Sequence, residues 1–413
     1  MRWNNLKRVI GPRLWPVYLI GFISGLPLML TITVLQAWLT SAQVSIVHIS
    51  LFTLVGLPYT YKFLWAPFLD RYALSLPFCL THRRKSWLLI CQVVLAVIVL
   101  SMAYLSPEEH LEFVVGLAVL AAIFSATQDI VIDAYRTEYL LVEERGLGSA
   151  AFIFAYRIAT LLSGGLGLIL ADHYGWRMYF IGMSILMLLG AGIVLRLPIV
   201  QENIEKSLNF IQTFLQPFRL FLQQRCSVLL LIFIILYKFG DAFTQSLGTT
   251  FFLRELHLTL SDVGILYKTI GFMSTVVGAY VGGFLLPTLG IYRSLWMFGL
   301  LQAMANVCFV GLAHYGAIKW LIIFSITLDL GASGMATVAL LACLMTVCDI
   351  RHTAAQFALL TAVMSIGRII AGPLAGFSVN AWGWECMFIL GFLLSLPCFL
   401  LLPRLRSIII RPS

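Results

Sequence analysis

The chain has 413 residues, of which 61% are hydrophobic and 11% charged, and its formal net charge at pH 7 is +9. A soluble domain carries charge on about a quarter of its residues, so this composition excludes an ordinary soluble protein. The apolar runs are long and lack the alternation of barrel strands, which predicts transmembrane α-helices. The basic residues lie in short connections and form no continuous stripe, which argues against nucleic acid as a partner.

The apolar runs provide about twelve membrane crossings at about 20 residues each. The predicted spans lie near residues 14–40, 46–69, 87–105, 112–138, 147–172, 178–197, 227–253, 262–286, 294–313, 318–346, 354–379 and 385–402. The first run follows a basic segment but lacks a small-residue cleavage site, so we expect it to be retained and not removed as a signal peptide.

Lys and Arg are concentrated in alternate connections, as in cytoplasmic segments of membrane proteins. Basic residues precede the first span, follow the second at 83–85, and occur again at 206–225 and 404–411. The connection SPEEHLE at 106–112 carries acids and a histidine. This pattern predicts an even number of spans with both termini in the cytoplasm.

The longest polar connection, residues 198–225, divides the sequence into a six-helix bundle at 1–197 and a second at 226–413. The spacing of apolar and polar residues in this connection is compatible with an amphipathic helix on the membrane surface. The segment GGLGLILADHYGW at 164–176 matches GPLAGFSVNAWGW at 372–384 at a constant offset. We therefore predict two parallel repeats, with a cation-rich substrate path between the halves.

The eight cysteines lie mostly within or beside apolar runs and show no paired metal spacing. They are interpreted as small packing residues, and we expect no disulfide framework, no metal site and no cofactor. The sequence GASG at 331–334 has the spacing found around the serine of some membrane proteases. The nearest histidines in sequence lie at the ends of the tenth span, so we expect close helix packing at this segment and no enzymatic activity.

Two segments resemble the signature loop of the major facilitator superfamily. WAPFLDRY at 65–72 leads to HRRKSW, with Ala66 where the family has glycine, and GFLLPTLGIYR at 283–293 fits the same template. Five segments resemble AmpG-type muropeptide permeases, which are related to eukaryotic acetyl-CoA transporters. They are GFISGLPLMLTITVLQAWL, KFLWAPFLDRY, SATQDIVIDAYRTE, LYKFGDAFTQSLGTTFFLRE and AAQFALLTAVMSIGRIIAGPLAG.

This resemblance implies an all-α, major facilitator-like fold in the bacterial inner membrane, with both termini cytoplasmic. It implies proton-driven import of anhydromuropeptides (GlcNAc-1,6-anhydroMurNAc peptides) from the periplasm for cell-wall recycling. The expected partners are an anionic glycopeptide, protons and the lipid bilayer, and we expect a monomer. Many such permeases carry further hydrophobic segments after the twelfth span, which this sequence lacks, so the exact substrate stays open. Another anionic cargo, such as acetyl-CoA or a siderophore, or a non-transporting receptor, is the alternative.

Asp129, Asp133 and Arg136 fall at i, i+4 and i+7 in the fourth span and share one helix face. Asp129 lies about 15 Å from the cytoplasmic end at about 1.5 Å per residue. A carboxylate in a low-dielectric site readily binds a proton, so Asp129 and Asp133 are the candidates for proton coupling. In the alternative, Asp129 forms a permanent pair with Arg157 and joins two helices.

Other polar residues in the apolar runs are candidates for substrate binding or gating. Lys238 and Asp241 in the seventh span either neutralise one another or present the lysine cation to substrate carboxylates. Lys268 in the eighth span either binds an anion or extends its ammonium group to the membrane interface. Gln36, Gln128 and Gln245 bind a sugar or bridge helices, and Arg157 is a further substrate candidate. The predicted gating residues are Asp70, Arg71, Arg83, Arg84, Arg136, Asp329 and Arg368, of which Asp329 and Arg368 are expected to form a clamp.

Overall fold

The computed structural model describes residues 14–71, 82–140, 145–199, 227–347 and 353–409. Within these ranges the helices, in chain order, are α1 Trp15–Ser41, α2 Ile46–Tyr61, α3 Ala66–Arg71, α4 Arg83–Met102, α5 Leu111–Tyr139, α6 Arg145–Thr160, α7 Gly167–Arg196, α8 Ser227–Ser246, α9 Gly248–Arg254, α10 Leu260–Leu289, α11 Ile291–Tyr315, α12 Lys319–Val347, α13 Thr353–Ser395 and α14 Pro397–Ile409. The predicted amphipathic helix at 198–225 lies almost wholly outside the described residues.

Nine helical stretches of the described residues are long and apolar enough to cross a membrane. Two of them, Ala151–Arg196 and Leu360–Arg406, contain a glycine with positive φ, Gly175 at +81° and Gly383 at +79°. At each glycine one helix ends and the next begins, because a positive φ interrupts the helical conformation. Glycine suits this position because a residue with a Cβ rarely adopts a positive φ. With the segmented stretch formed by α2 and α3, the described residues account for twelve crossings, and the predicted all-helical fold is confirmed.

In the described part of the chain, three helical stretches contain a π-helical segment. These segments lie at Leu30–Val34 in α1, at Leu161–Leu166 between α6 and α7, and at Val263–Ile270 in α10. A π turn widens the helix locally and occurs frequently at functional sites. All three lie within predicted spans, where a continuous α-helix is the simplest expectation from an apolar run.

The chain forms two compact units. Unit 1 comprises Met1–Val44, Val55–Ile204 and Thr259–Gly264, and unit 2 comprises Ser45–Leu54, Glu205–Leu258 and Ile265–Ser413. Ile20, Leu88 and Val131 are among the buried residues at the centre of unit 1. Phe233 and Leu340 are among the buried residues of the core of unit 2.

Glycines allow close helix contact inside each unit. In unit 1, a Cβ on Gly21 would lie 2.6 Å from the carbonyl oxygen of Phe152, so α1 and α6 meet backbone to backbone. In unit 2, a Cβ on Gly278 or Gly334 would collide with the facing backbone, so α10 and α12 pack equally closely. The GASG segment therefore has the close-packing role that its small residues predict.

The predicted internal repeat has a geometric counterpart. Trp176 follows the positive-φ glycine of α7, and its ring lies 6.4 Å from that of Trp38 at the end of α1. Trp384 follows the equivalent glycine of α13, with its ring 5.2 Å from Phe251 in α9. Trp38 is 4% exposed, so it is a core residue, although aromatics near span ends more often lie at the membrane interface.

Candidate functional site

A buried polar group in unit 1, here called the Asp129 cluster, consists of Ser24, Gln92, Thr127, Gln128 and Asp129. The Ser24 hydroxyl of α1 donates a hydrogen bond to Asp129 Oδ1 of α5 over 2.6 Å. Gln92 Nε2 of α4 donates to Gln128 Oε1 over 2.5 Å. Three helices thus meet at one polar network.

Proline creates one of the acceptors in this network. Pro27 in α1 has no backbone N–H, so it cannot donate to the carbonyl of Ile23 four residues earlier. That carbonyl accepts a hydrogen bond from Gln128 Nε2 instead, over 3.1 Å. A buried carbonyl without a donor is costly, so the glutamine of α5 replaces the missing bond of α1.

Gln128 and Asp129 are adjacent but differ in accessibility. The Gln128 side chain is fully buried and hydrogen-bonded to both α4 and α1, so it bridges helices in this structure. Asp129 is partly exposed and receives its hydrogen bond from Ser24. Arg157, expected at a similar depth, has an exposed side chain on α6. The alternative Asp129–Arg157 pair stays a prediction.

Two contributors to the Asp129 cluster were not identified from the sequence. Lys62 acts electrostatically on Asp129, and Trp65 Nε1 donates to the Thr127 hydroxyl over 3.0 Å. Both belong to KFLWAPFLDRY, the segment that carries part of the family resemblance, but Lys62 lies near the predicted end of a span. Spacing alone does not indicate that it faces a carboxylate three helices later in the chain.

Two of the charges predicted for gating, Arg136 and Arg84, form separate ion pairs in unit 1. Arg136 Nη2 lies 3.2 Å from Asp133 Oδ1, and its guanidinium lies 4.4 Å from the centre of the Phe152 ring. Arg84 Nη2 lies 2.8 Å from Oε1 of Glu138, a partner not predicted from the sequence. Arg83 is buried at the start of α4. Asp70 and Arg71 end α3, and their side chains lie outside the described part of the structure.

A second polar group lies in unit 2 and is here called the Asp329 cluster: Lys238, Asp241, Gln245, Asp329 and Ser333. Lys238 Nζ lies 3.4 Å from Asp241 Oδ2, which also accepts from the Ser333 hydroxyl over 3.0 Å. Gln245 Nε2 donates to Asp241 Oδ1 over 2.7 Å and to Asp329 Oδ2 over 3.2 Å. The cluster therefore connects one face of α8 to α12.

The remaining candidates lie apart from these contacts. Lys268 lies in the π turn of α10 with its Nζ 4.2 Å from the Tyr267 ring centre. Gln36 is half-buried on α1. Arg368 is exposed on α13, and fully buried Asp329 accepts from Gln245 of α8. The Asp329–Arg368 clamp stays a prediction.

Ser333 lies beside a lysine, and such a pair can act as a nucleophile and its base. Lys238 Nζ lies 3.4 Å from Ser333 Oγ. The lysine is engaged with Asp241, however, and the serine hydroxyl donates to the same carboxylate. Among the described residues, no group of three or more His, Cys, Asp or Glu could hold a metal ion.

Together, the twelve crossings and the ionisable groups inside both units define a multi-pass membrane protein of the transporter class. Residues 17–357 match the model of the Major Facilitator Superfamily. The chain belongs to this superfamily, and it is a membrane transporter and not an enzyme.

Curated relatives cover nearly the whole chain. It is 39% identical over 392 residues to the anhydromuropeptide permease of Escherichia coli K12, covering 95% of this chain and 79% of the relative. It is 29% identical to a protein of Rickettsia conorii named putative transporter AmpG 4, with coverage of 96% and 97%.

Solved transporter structures share the fold. A bacterial homologue of the human lysosomal transporter Spinster, in an inward-facing conformation, superposes with a TM-score of 0.75 at 14% identity, covering 98% of this chain and all of the other. The nucleoside transporter NupG gives a TM-score of 0.72 at 15% identity, with coverage of 97% and 100%. At such identities the likeness concerns the fold alone.

Proposed function

We propose that the protein is a proton-driven secondary transporter that imports anhydromuropeptides from the periplasm into the cytoplasm by alternating access. The observation that carries this proposal is the 39% identity to the Escherichia coli anhydromuropeptide permease over 95% of the chain. We place the protein in the bacterial inner membrane with both termini in the cytoplasm.

The two clusters supply the chemistry that such a transporter needs. Asp129 is partly exposed and hydrogen-bonded to Ser24, so a change in its hydration can drive binding and release of a proton. Lys238 offers an ammonium group to the substrate carboxylates, and its attachment to Asp241 keeps it neutralised until an anion arrives. Arg84, Arg136 and the signature-loop residues serve as gating charges.

The test is uptake of labelled GlcNAc-anhydroMurNAc peptide into proteoliposomes, with and without an imposed inward proton gradient. The parent protein should accumulate the glycopeptide only with the gradient. The Asp129→Asn variant should bind it but lose gradient-driven accumulation, because the amide cannot carry the proton. Asp133→Asn, measured alongside, separates the contributions of the two acids.

A matched control is Asp172→Asn on α7. Asp172 is exposed and its Oδ2 accepts the backbone N–H of Ser261 over 3.2 Å, a bond that the asparagine oxygen can retain. This variant should transport as the parent does. Absence of uptake by a well-folded parent protein would refute the muropeptide assignment, and full gradient-driven accumulation by Asp129→Asn would refute the role of Asp129.

A further inference from the structure

The Asp329 cluster contains two acidic side chains and one basic side chain. Two carboxylates, Asp241 and Asp329, share the two N–H groups of one amide, Gln245 Nε2. Lys238 is the cation in the cluster, and it lies 3.4 Å from Asp241 Oδ2. Asp241 also accepts from Ser333, so it has the donors and the counter-charge that stabilise an ionised carboxylate.

Asp329 has less support than Asp241. Its side chain is fully buried, Oδ2 accepts one bond from Gln245, and Oδ1 is buried without a hydrogen-bond partner among the described residues. Lys238 also acts on Asp329 electrostatically, but its ammonium is paired with Asp241, whose negative charge opposes a second one. Tyr267 of α10 and Cys308 of α11 also interact with Asp329, and a phenol and a thiol add no positive charge. An unpaired buried carboxylate costs far more free energy than an unpaired hydroxyl, so the neutral acid is the cheaper form.

We propose that Asp329 is a second proton-binding site of the transporter, holding its proton on Oδ1 and linked through Gln245 to the Lys238–Asp241 pair. This inference rests on the proposed function, because it assigns a residue of unit 2 to the proton coupling of that same transport cycle. It differs from the gating clamp with Arg368 that the sequence predicts.

The geometry links the proton to the anion. When a substrate carboxylate binds the Lys238 ammonium, the attraction between Lys238 and Asp241 weakens, and the uncompensated charge of Asp241 favours the protonated form of Asp329. When the anion leaves, Lys238 returns to Asp241 and the affinity of Asp329 for its proton falls, so the acid can exchange the proton with water where water reaches the site. Binding of the anion and binding of the proton are therefore mutually favourable, as symport requires.

The transport test compares Asp329→Asn with Ser325→Ala. Ser325 is fully buried on α12, one turn before Asp329, so its replacement controls for a buried polar substitution on the same helix. Asp329→Asn mimics the protonated acid and should lose gradient-driven accumulation, while exchange of labelled for unlabelled glycopeptide without a gradient continues. Ser325→Ala should retain both activities. Gradient-driven accumulation by Asp329→Asn would overturn the proposal.

A second readout needs no substrate. The infrared carbonyl stretch of a protonated, buried carboxylic acid should be present in the parent protein at neutral pH, absent in Asp329→Asn and retained in Asp129→Asn and Ser325→Ala. If Asp329→Asn fails to fold, Asp329→Glu should keep the band at a shifted frequency. A band unaltered by either substitution at residue 329 refutes the proton site, whereas a parent that shows the band without glycopeptide uptake refutes only the proposed function.

Discussion

Arg84 and Lys85 are neighbours in the basic segment at the start of α4, but they stabilise different parts of unit 1. Arg84 pairs with Glu138 near the end of α5. The ammonium of Lys85 donates to the carbonyl oxygens of Leu195 and Leu197 over 3.0 and 2.9 Å, at the end of α7. These carbonyls belong to a helix terminus that has too few internal donors, and a cation there also interacts favourably with the helix dipole.

The Arg84–Glu138 pair predicts a large effect of one substitution. The two side chains are 7% and 21% exposed, so Glu138→Ala would remove a carboxylate that lies 2.8 Å from a buried guanidinium. We expect the free energy of unfolding to fall by about 2–3 kcal/mol, near the lower limit for breaking a buried pair. Thermal or denaturant unfolding in detergent micelles measures this change.

Asp133→Ala is the matched control for that experiment. It removes the carboxylate of an ion pair in the same helix, but Asp133 is 51% exposed, so the expected loss is below about 1 kcal/mol. Equal losses for the two variants would show that burial does not distinguish these pairs.

The sequence could predict the positions of the buried acids but not all of their partners. Lys238 and Asp241 are i, i+3 neighbours, and their pairing follows from helix geometry. Ser24, which donates a hydrogen bond to Asp129, could not be found this way, because depth along a span does not show which side chains of neighbouring helices face each other. Serine is common in membrane helices, so nothing distinguishes Ser24 or Ser333 as hydrogen-bond donors until the helices are packed.

Helix α1 illustrates how close packing and local irregularity combine in one element. A Cβ on Gly25 would lie 2.5 Å from the carbonyl oxygen of Tyr156 and 2.9 Å from Cβ of Ala159. The next residues of α1 include Pro27 and the π turn at Leu30–Val34, so the regular hydrogen-bond pattern changes just beyond this contact. The Gly25-Leu26-Pro27 segment of α1 thus provides close packing with α6 as well as the link to Gln128.

This contact predicts that Gly25→Ala destabilises the protein. The added methyl group would meet backbone that cannot move without separating α1 from α6, and we expect a loss of about 1–3 kcal/mol, as for overpacking. Gly116→Ala on α5 is the control, because nothing lies within 4 Å of the position that its methyl group would take. That substitution should be neutral or stabilise the helix by up to about 1 kcal/mol. A melting temperature unchanged by Gly25→Ala would contradict the close contact.

At the scale of the whole molecule, composition and apolar run length were sufficient to predict twelve crossings, because the membrane requires each crossing to be a long apolar helix. The predicted gaps between spans at 173–177 and 380–384 contain the two helix junctions, Gly175 and Gly383. The helix resumes directly after each glycine, a short connection that the apolar pattern alone does not predict. The π turns could not be predicted, because an extra residue in a helical turn leaves the apolar character of the run unchanged.

The distribution of basic residues predicts the orientation of the molecule. In a cysteine-free background, a membrane-impermeant maleimide should label the Ser106→Cys variant in spheroplasts with intact inner membranes. The Arg404→Cys variant should react only after the membrane is permeabilised, because the basic segment at the end of the chain is expected inside. Labelling of Arg404→Cys in intact spheroplasts would reverse the proposed topology.

The glycines at 175 and 383 join helices end to end, with one non-helical residue at each junction. Proteases cleave preferentially at exposed, irregular chain, such as the connection at residues 103–110 between α4 and α5. The two glycine junctions contain little irregular chain that a protease could bind. Each glycine-linked helix pair should consequently survive as a single fragment when a partly degraded chain is cut elsewhere.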